Sequence, residues 1–348
     1  MPIGGIFITA AVCAAAAVVV VRRRWIRTHL FELFDFPLAA GASVMAPFAW
    51  LLAHGGYRCA RARRVLDRAG LALVRHHYYE PVLFESDLRY SLRDERNVAG
   101  LDLNEEKQFA LLRQFHYRDE LLSMPIEMPG PQSQEGPRQF FYHNGYFEAG
   151  DAEYLYNMIR HYKPRRIVEI GSGNSTLVAR RAIEKNVEED GQYACDHTCI
   201  EPYHAPWLER TGATIVRSRV EIVPMEIFDR LGANDILFID SSHVIRPQAD
   251  VLHEYLHVLG RLAPGVLIHV HDIFTPFDYL ARFVVKERKM WNEQYLLEAF
   301  LCFNSQFEVV GALNWLNRKH RELLHDACPV LMQEQETEPA SFWIRRVN

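Results

Sequence analysis

Four ionisable side chains follow two strand-like apolar segments, and their types are those that remove a proton from a hydroxyl group. "DILFIDSSH" places Asp240 and His243 after one segment, and "GVLIHVHD" places His271 and Asp272 after the next. The carboxyl ends of parallel strands meet at one edge of a sheet, so we expect these side chains to lie together. The pattern predicts a histidine general base oriented by a carboxylate. The alternative is a Mg²⁺ site on Asp240 and Asp272, since that ion prefers oxygen ligands.

A glycine-bearing turn, "VEIGSGNST" (168–176), lies upstream of these segments, between a strand-like run and a helical one. This layout is typical of the first βα turn of a nucleotide-binding α/β domain. A P-loop needs a lysine directly after the glycines, and the next lysine here is Lys185. A dinucleotide fingerprint needs a third glycine where this chain has Thr176. Neither type of phosphate site is therefore favoured.

Two carboxylates near this turn indicate a different ligand. Glu169 stands two residues before the first glycine, where a carboxylate meets a cationic group. In "CIEPY", Glu201 ends the next predicted strand, where an acidic residue accepts hydrogen bonds from ribose hydroxyls. A nucleoside that carries a positively charged sulfur suits both residues, so we expect the ligand to be S-adenosylmethionine.

The segments "VEIGSGNST", "CIEPY", "DILFIDSSH" and "HVHDIF" together resemble class I S-adenosylmethionine-dependent methyltransferases, over roughly residues 77–346. They look most like a bacterial branch with I-D-x-x-H after strand four and H-D after strand five. The resemblance implies the strand order 3-2-1-4-5-7-6 with strand seven antiparallel, and O-methylation of a small-molecule, sugar or glycan hydroxyl. The cofactor residues that it implies are Glu169, Gly171, Ser172, Gly173, Asn174, Ser175, Glu201 and Asp240. Ser175 departs from the pattern, because many members have a third glycine there.

Strand-length apolar runs alternate with helical patterns from residue 151 onward, which predicts a doubly wound, mostly parallel α/β sheet of the Rossmann-like type. The predicted strands are 166–170, 197–201, 213–217, 235–240, 265–272, 307–313 and 341–346. The methyltransferase domain is expected to span 141–348, after a helical and loop lead-in at 77–140.

The N-terminus is a hydrophobic helical extension. Residues 3–21 carry no charge and would span roughly 28 Å as a helix, and arginines follow at once. Because positive residues stay inside, residues 1–27 are predicted to be a transmembrane or signal-anchor helix, with the catalytic domain cytoplasmic. An uninserted alanine-rich helix is the alternative. The basic and apolar segment 28–76 is predicted to lie in the membrane interface, unless it is a hairpin that binds a partner.

Overall composition is that of a globular protein of 348 residues with a net charge of −5, which argues against a nucleic-acid partner. Up to residue 80, ten arginines stand against four acidic residues, which suits an anionic membrane surface. The six cysteines are scattered and predict reduced thiols in the cytoplasm. "CDHTC" (195–199) has zinc-ligand residue types, but no second cluster accompanies it.

Two other functions remain open at this stage. The first is an NAD-type oxidoreductase built on the same kind of glycine turn. The second is a membrane-held scaffold that keeps the methyltransferase fold without activity. Methyl transfer to a small-molecule or glycan acceptor would separate the enzyme from the scaffold, which transfers no methyl group even with S-adenosylmethionine bound.

Overall fold

The computed structural model describes residues 35–130, 136 and 138–348. It divides into two compact units, Met1–Phe84 and Glu85–Asn348. The predicted span at 3–21 lies outside the described residues. The C-terminal unit begins earlier than residue 141, so it includes most of the segment that the sequence suggested as a lead-in.

The N-terminal unit contains helix α1 (Asp35–Gly55), a short 3-10 turn and helix α2 (Ala60–Arg68). Pro37 lies early in α1, and Pro47 stands in its middle without ending it. The prolines therefore do not interrupt the apolar segment, although a mid-helix proline removes one backbone hydrogen bond. Helix α1 is the one helix among the described residues that is long and apolar enough to cross a membrane.

The C-terminal unit is built on one sheet of seven strands in the order β3-β2-β1-β4-β5-β7-β6. The strands are β1 (Arg166–Ile170), β2 (Asp196–Ile200), β3 (Thr214–Val216), β4 (Ile236–Ile239), β5 (Leu267–Val270), β6 (Phe307–Ala312) and β7 (Phe342–Arg346). Strands β1 to β5 run parallel, whereas β7 pairs antiparallel with both β5 and β6. The predicted α/β class, strand order and antiparallel strand seven are confirmed.

The helices of this unit surround the sheet. They are α3 (Glu105–Leu112), α4 (Arg118–Leu122), α5 (Asp151–Tyr162), α6 (Asn174–Glu189), α7 (Glu226–Asp229), α8 (Asp250–His253), α9 (Glu293–Leu301) and α10 (Leu313–Lys319). Every residue of β4 and β5 is buried, because helices cover both faces of the sheet. The core also takes in residues before 141, among them Phe115 and Leu121.

Two connections in the C-terminal unit have their own helical structure. The connection from β4 to β5 contains α8, a π-helical turn at Glu254–Val258 and a 3-10 turn at Leu259–Arg261. Helix α10 lies between β6 and β7. Its apolar residues follow directly on those of β6, so no break in composition marks the change from strand to helix.

Candidate active site

The ends of β4 and β5 bring the four predicted catalytic side chains together. Nε2 of His243 lies 3.3 Å from Oδ1 of Asp240 and 3.4 Å from Oδ2 of Asp272. Nδ1 of His271 lies 3.5 Å and 3.9 Å from the same two oxygens. The imidazoles are buried, and the carboxylates are partly exposed. This cluster, residues 240, 243, 271 and 272, is the candidate catalytic centre.

Two further carboxylates, which the sequence reasoning missed, contact the outer nitrogens of the histidines. Oε2 of Glu293 lies 2.9 Å from Nδ1 of His243, and Oδ2 of Asp151 lies 3.4 Å from Nε2 of His271. Glu293 is fully buried at the start of α9. The backbone amides of Asn292 and Glu293 also donate to the carbonyl of His243. Asp151 accepts hydrogen bonds from the amides of Ala340 and Ser341. The outer carboxylates therefore fix the orientation of both rings.

The electrostatics of the cluster follow from burial and mutual attraction. Burial lowers the pKa of His243, but contacts with Asp240 and Glu293 and the charge of Asp272 outweigh it and raise the pKa to about 10. The pKa of His271 is likewise raised, because Asp240 and Asp272 outweigh its burial. Burial opposes ionisation of Asp240, yet the charge of His271 and the contact with His243 hold its pKa below the usual range. A histidine that keeps its proton at neutral pH is not ready to act as a base.

Left-handed backbone conformations aim two of the four side chains. His243 has φ 59° and Asp272 has φ 55°. Such angles are uncommon for residues with a Cβ, and they carry a cost in free energy that neighbouring contacts must offset. At these strand ends, the unusual backbone turns both side chains toward one point.

The glycine turn lies beside this cluster, at the end of β1. Gly171 has φ 78°, and a Cβ there would lie 2.0 Å from the carbonyl oxygen of Asp240, so only glycine fits. A Cβ on Gly173 would meet nothing within 4 Å, which leaves open space at the start of α6. The amides of Ser172 and Tyr203 donate to the two carboxylate oxygens of Glu201, at 3.2 Å and 2.8 Å. The predicted ribose carboxylate is thus held next to the turn, as a nucleoside site requires.

Glu169 and Ser175 lie deeper than the other predicted cofactor residues. Glu169 is 1% exposed, and its carboxylate accepts hydrogen bonds from Ser175, Thr176 and Cys199 and contacts His197. Glu169 lies inside β1, where its side chain is buried in the protein. The sequence pattern does not reveal this burial. These contacts satisfy the carboxylate and stabilise the base of the turn.

Two residues of "CDHTC", His197 and Cys199, belong to the buried group around Glu169. Glu169, His197 and Cys199 have ligand atoms close enough to hold a metal ion, and Cys195 is not among them. Burial raises the pKa of the Cys199 thiol, which keeps it protonated at neutral pH. The protonated thiol donates a hydrogen bond to Glu169, whereas a metal ligand at this position would have to be a thiolate. The five cysteines of the described chain are free thiols.

Other residues of interest lie around the turn and strand β5. The side-chain amide of Asn174 donates a hydrogen bond of 2.9 Å to Oδ1 of Asn144, which lies in the loop before α5. His143 lies between Glu127 and Glu334, at 2.8 Å from each. His269 is a core histidine, stacked on Phe238 and 2.8 Å from the hydroxyl of Ser341.

A cavity of about 770 Å³ adjoins the cluster on the side of His271 and Asp272. Two strongly exposed tyrosines, Tyr90 and Tyr146, line it. The other lining residues include the charged side chains of Glu85, Arg93, Glu148, Asp151, Arg282, Arg318, Glu336 and Glu338. The volume is in the range of small-molecule sites, and the lining offers many hydrogen-bonding groups.

Part of the C-terminal unit matches a known family of protein domains. Residues 168–273 match the model of a family described as a methyltransferase domain. That stretch contains the glycine turn, Glu201 and the whole candidate catalytic cluster. This part of the α/β sheet is therefore similar to methyltransferase domains.

Individual proteins are also similar to this chain. A protein of Archaeoglobus fulgidus, described as uncharacterized, is 30% identical over 174 residues, which cover 46% of this chain and 74% of that protein. The chain belongs to the same family as this archaeal protein. A solved structure of a putative protein-L-isoaspartate O-methyltransferase from Plasmodium falciparum, in complex with S-adenosyl-L-homocysteine, is 15% identical with a TM-score of 0.26. It covers 48% of this chain and 76% of its own, and a likeness this low carries no argument about the substrate.

Proposed function

We propose that the protein is an S-adenosylmethionine-dependent O-methyltransferase that acts on a hydroxyl group of a sugar, a glycan or another small molecule. The observation that carries this proposal is the position of the cluster, between the glycine turn with its ribose carboxylate and a polar cavity. S-adenosylmethionine supplies an electrophilic methyl group when bound. The residues of the chain then have two tasks, to hold the cofactor and to accept the proton of the acceptor hydroxyl.

The first task falls to the glycine turn. Open space at Gly173 admits the cofactor, and Glu201 accepts hydrogen bonds from the ribose hydroxyls. Ser172 and Asn174 lie on the same turn and are half-buried, where their polar groups face the methionine end. Glu169, with Ser175, supports the turn from below.

The second task falls to the cluster. A hydroxyl in the cavity next to His271 and Asp272 loses its proton as it attacks the methyl group, and a base or a metal ion must assist. His243 or His271 serves as base only after it gives up its own proton, which the surrounding carboxylates oppose. A divalent cation on Asp240 and Asp272 is the other way to activate the hydroxyl. Mg²⁺ is the ion that these two carboxylates alone would favour.

The cavity favours a carbohydrate as acceptor. Exposed Tyr90 and Tyr146 offer flat faces, against which the apolar face of a sugar ring packs. The carboxylates and guanidinium groups around them offer hydrogen bonds to several hydroxyls. A small flat phenol would use few of these hydrogen-bonding groups.

The sheet topology also bears on the oxidoreductase alternative. The dinucleotide fold has the order 3-2-1-4-5-6 with parallel strands, whereas this sheet has an antiparallel strand between β5 and β6. We expect S-adenosylmethionine and S-adenosylhomocysteine to raise the thermal midpoint of the protein and NAD to leave it unchanged. Incubation with labelled S-adenosylmethionine and fractionated extract should then label a carbohydrate fraction. A midpoint raised by NAD alone would contradict the proposal, and bound cofactor without transfer to any fraction would favour the scaffold.

We further propose that the N-terminal unit attaches the enzyme to a membrane, with the catalytic unit on the cytoplasmic side. Helix α1 exposes Phe36, Phe48 and Trp50 to solvent, and α2 carries four arginines. Apolar side chains favour the bilayer, and arginines favour anionic headgroups. The full chain should remain in the membrane pellet after carbonate extraction. Release into the supernatant would contradict a membrane span and leave only interfacial binding.

A further inference from the structure

The side chain of Asn144 holds together the loop that precedes α5, residues 144–149. Its Oδ1 accepts hydrogen bonds from the backbone amides of Tyr146 and Phe147, at 3.0 Å and 2.9 Å. Its Nδ2 donates to the carbonyls of Phe141 and Phe147, at 2.8 Å and 2.7 Å. The conformation of loop 144–149 therefore depends on this one side chain.

Loop 144–149 is joined to the glycine turn through the same oxygen of Asn144. Nδ2 of Asn174, the first residue of α6, donates to it at 2.9 Å. Asn174 follows Gly173, beside which there is open space. A ligand in that space would lie next to Asn174 and would restrict the side chain that the loop uses as a donor.

The far end of the loop reaches the catalytic cluster. The ring of Phe147 is 3% exposed, and its centroid lies 5.2 Å from that of His271. Asp151, two residues after the loop, contacts Nε2 of the same imidazole at 3.4 Å. The loop and the start of α5 thus hold His271 through both a packed ring and a carboxylate.

The loop also forms part of the wall of the cavity of about 770 Å³. Gly145, Tyr146, Glu148 and Ala149 line this cavity together with His271. The side chain of Tyr146 is strongly exposed, so its direction is set by the backbone of the loop rather than by packing around the ring. A change in the backbone of the loop would therefore change the surface that an acceptor meets.

We propose that Asn144 and Asn174 are positioning residues, which couple occupancy of the glycine turn to the shape of the acceptor cavity. With the cofactor bound, Asn174 is restricted and loop 144–149 opens less often, so that Tyr146 and His271 are held in place for the acceptor. Hydrogen-bond networks and packed side chains carry coupling of this kind between neighbouring sites. The coupling is reciprocal, because each ligand must strengthen the binding of the other by the same factor.

The inference rests on the proposed function, which assigns the glycine turn to S-adenosylmethionine and the cavity to the acceptor. It adds an order to the reaction. The cavity reaches its full affinity for the acceptor only after the cofactor has bound, so the acceptor hydroxyl meets the cluster when the methyl group is already present.

Hydrogen exchange of the full-length protein, followed by mass spectrometry, tests the coupling without an acceptor. The amides of Tyr146 and Phe147 exchange when the loop opens, because opening breaks their bonds to Asn144. Saturating S-adenosylhomocysteine should slow exchange in fragments covering residues 144–149 by at least about fivefold. Asn174→Ala should lose this slowing, although calorimetry shows the ligand bound and fragments covering residues 168–173 are still protected.

Asn304→Ala is the matched control. Asn304 lies between α9 and β6, where its side chain donates to the carbonyl of Phe300 and accepts from the amide of Gln306. This variant also loses a side-chain amide that organises a turn, but the turn is outside the candidate site. Its loop 144–149 should be protected by S-adenosylhomocysteine as in the wild type.

The wild type alone decides the matter if Asn174→Ala fails to fold. Unchanged exchange of residues 144–149 in the wild type with S-adenosylhomocysteine bound would overturn the coupling. Equal slowing in the wild type and in Asn174→Ala would overturn the role of the bond between the two asparagines.

Turnover gives a readout that a merely structural bond would not change. With labelled S-adenosylmethionine at saturation, Asn174→Ala should need at least about fivefold more of the extract fraction that gains label to reach half of its maximal rate. A bond that only stabilises the fold would lower the thermal midpoint and leave this half-saturating amount as it is in the wild type.

The two proposals fail in different ways. If S-adenosylhomocysteine does not bind the wild type, the proposed function is wrong and the coupling falls with it. If it binds and methyl transfer proceeds, but loop 144–149 exchanges at the same rate with and without it, the proposed function stands and the coupling is wrong.

Discussion

Replacement of His243 by alanine is expected to lower the rate constant of methyl transfer by about 10²- to 10⁴-fold, with little change in the affinity for S-adenosylmethionine. The side chain contacts Asp240 and Asp272 on one side and Glu293 on the other, so its loss removes the centre of the cluster. The effect follows whether the imidazole takes the proton itself or orients Asp240 and Asp272 around an ion that activates the hydroxyl. Single-turnover transfer from labelled cofactor to the identified acceptor measures it.

The control for this prediction is His257→Ala, which removes an exposed imidazole on the π-helical turn, outside the cluster. Calorimetry on both variants checks that the cofactor still binds. Full transfer by His243→Ala with an intact cofactor site would move the chemistry away from this cluster. Loss of cofactor affinity together with activity would instead assign His243 to binding.

The sheet and the location of the cluster were predictable because they depend on local patterns. Buried parallel strands are short apolar runs, and "DILFID" and "GVLIHV" have that form without interruption. Once two such strands are neighbours in the sheet, the residues that follow them must lie at the same edge. The parallel pairing of β4 and β5 is sufficient to predict that Asp240 and Asp272 lie close together.

The outer partners of the histidines were not predictable in the same way. Glu293 is 50 residues from His243 along the chain, and Asp151 is 120 residues from His271. Each stands at the start of a helix, where acidic residues are common because they favour the helix N-terminus. Only the folded arrangement distinguishes these two carboxylates from acidic residues that serve the helix alone.

The depth of Glu169 was also beyond the sequence. Alternation along β1 allows its side chain to face either side of the sheet, and both sides are covered by helices. A carboxylate on a buried strand must find partners, and here it finds them in α6 and β2. The pattern that suggested a ligand contact is thus equally typical of a buried structural carboxylate.

The carboxylate of Glu201 is expected to contribute to the affinity for S-adenosylmethionine through the ribose hydroxyls, and Glu201→Gln should weaken binding by about 10- to 150-fold. A charge-assisted hydrogen bond contributes about 1.5–3 kcal/mol, and each 1.4 kcal/mol is a factor of ten. In the wild type, each carboxylate oxygen accepts a hydrogen bond from a backbone N–H. The glutamine side chain keeps one acceptor oxygen, but its NH₂ group faces the other backbone N–H and cannot accept from it. Calorimetry with S-adenosylhomocysteine measures the loss of affinity without catalysis.

Glu188→Gln, in an exposed ion pair with Lys185 on α6, is the matched control and should bind S-adenosylhomocysteine as the wild type does. Wild-type affinity in Glu201→Gln, with the thermal midpoint of the free protein unchanged, would remove this residue from the cofactor site.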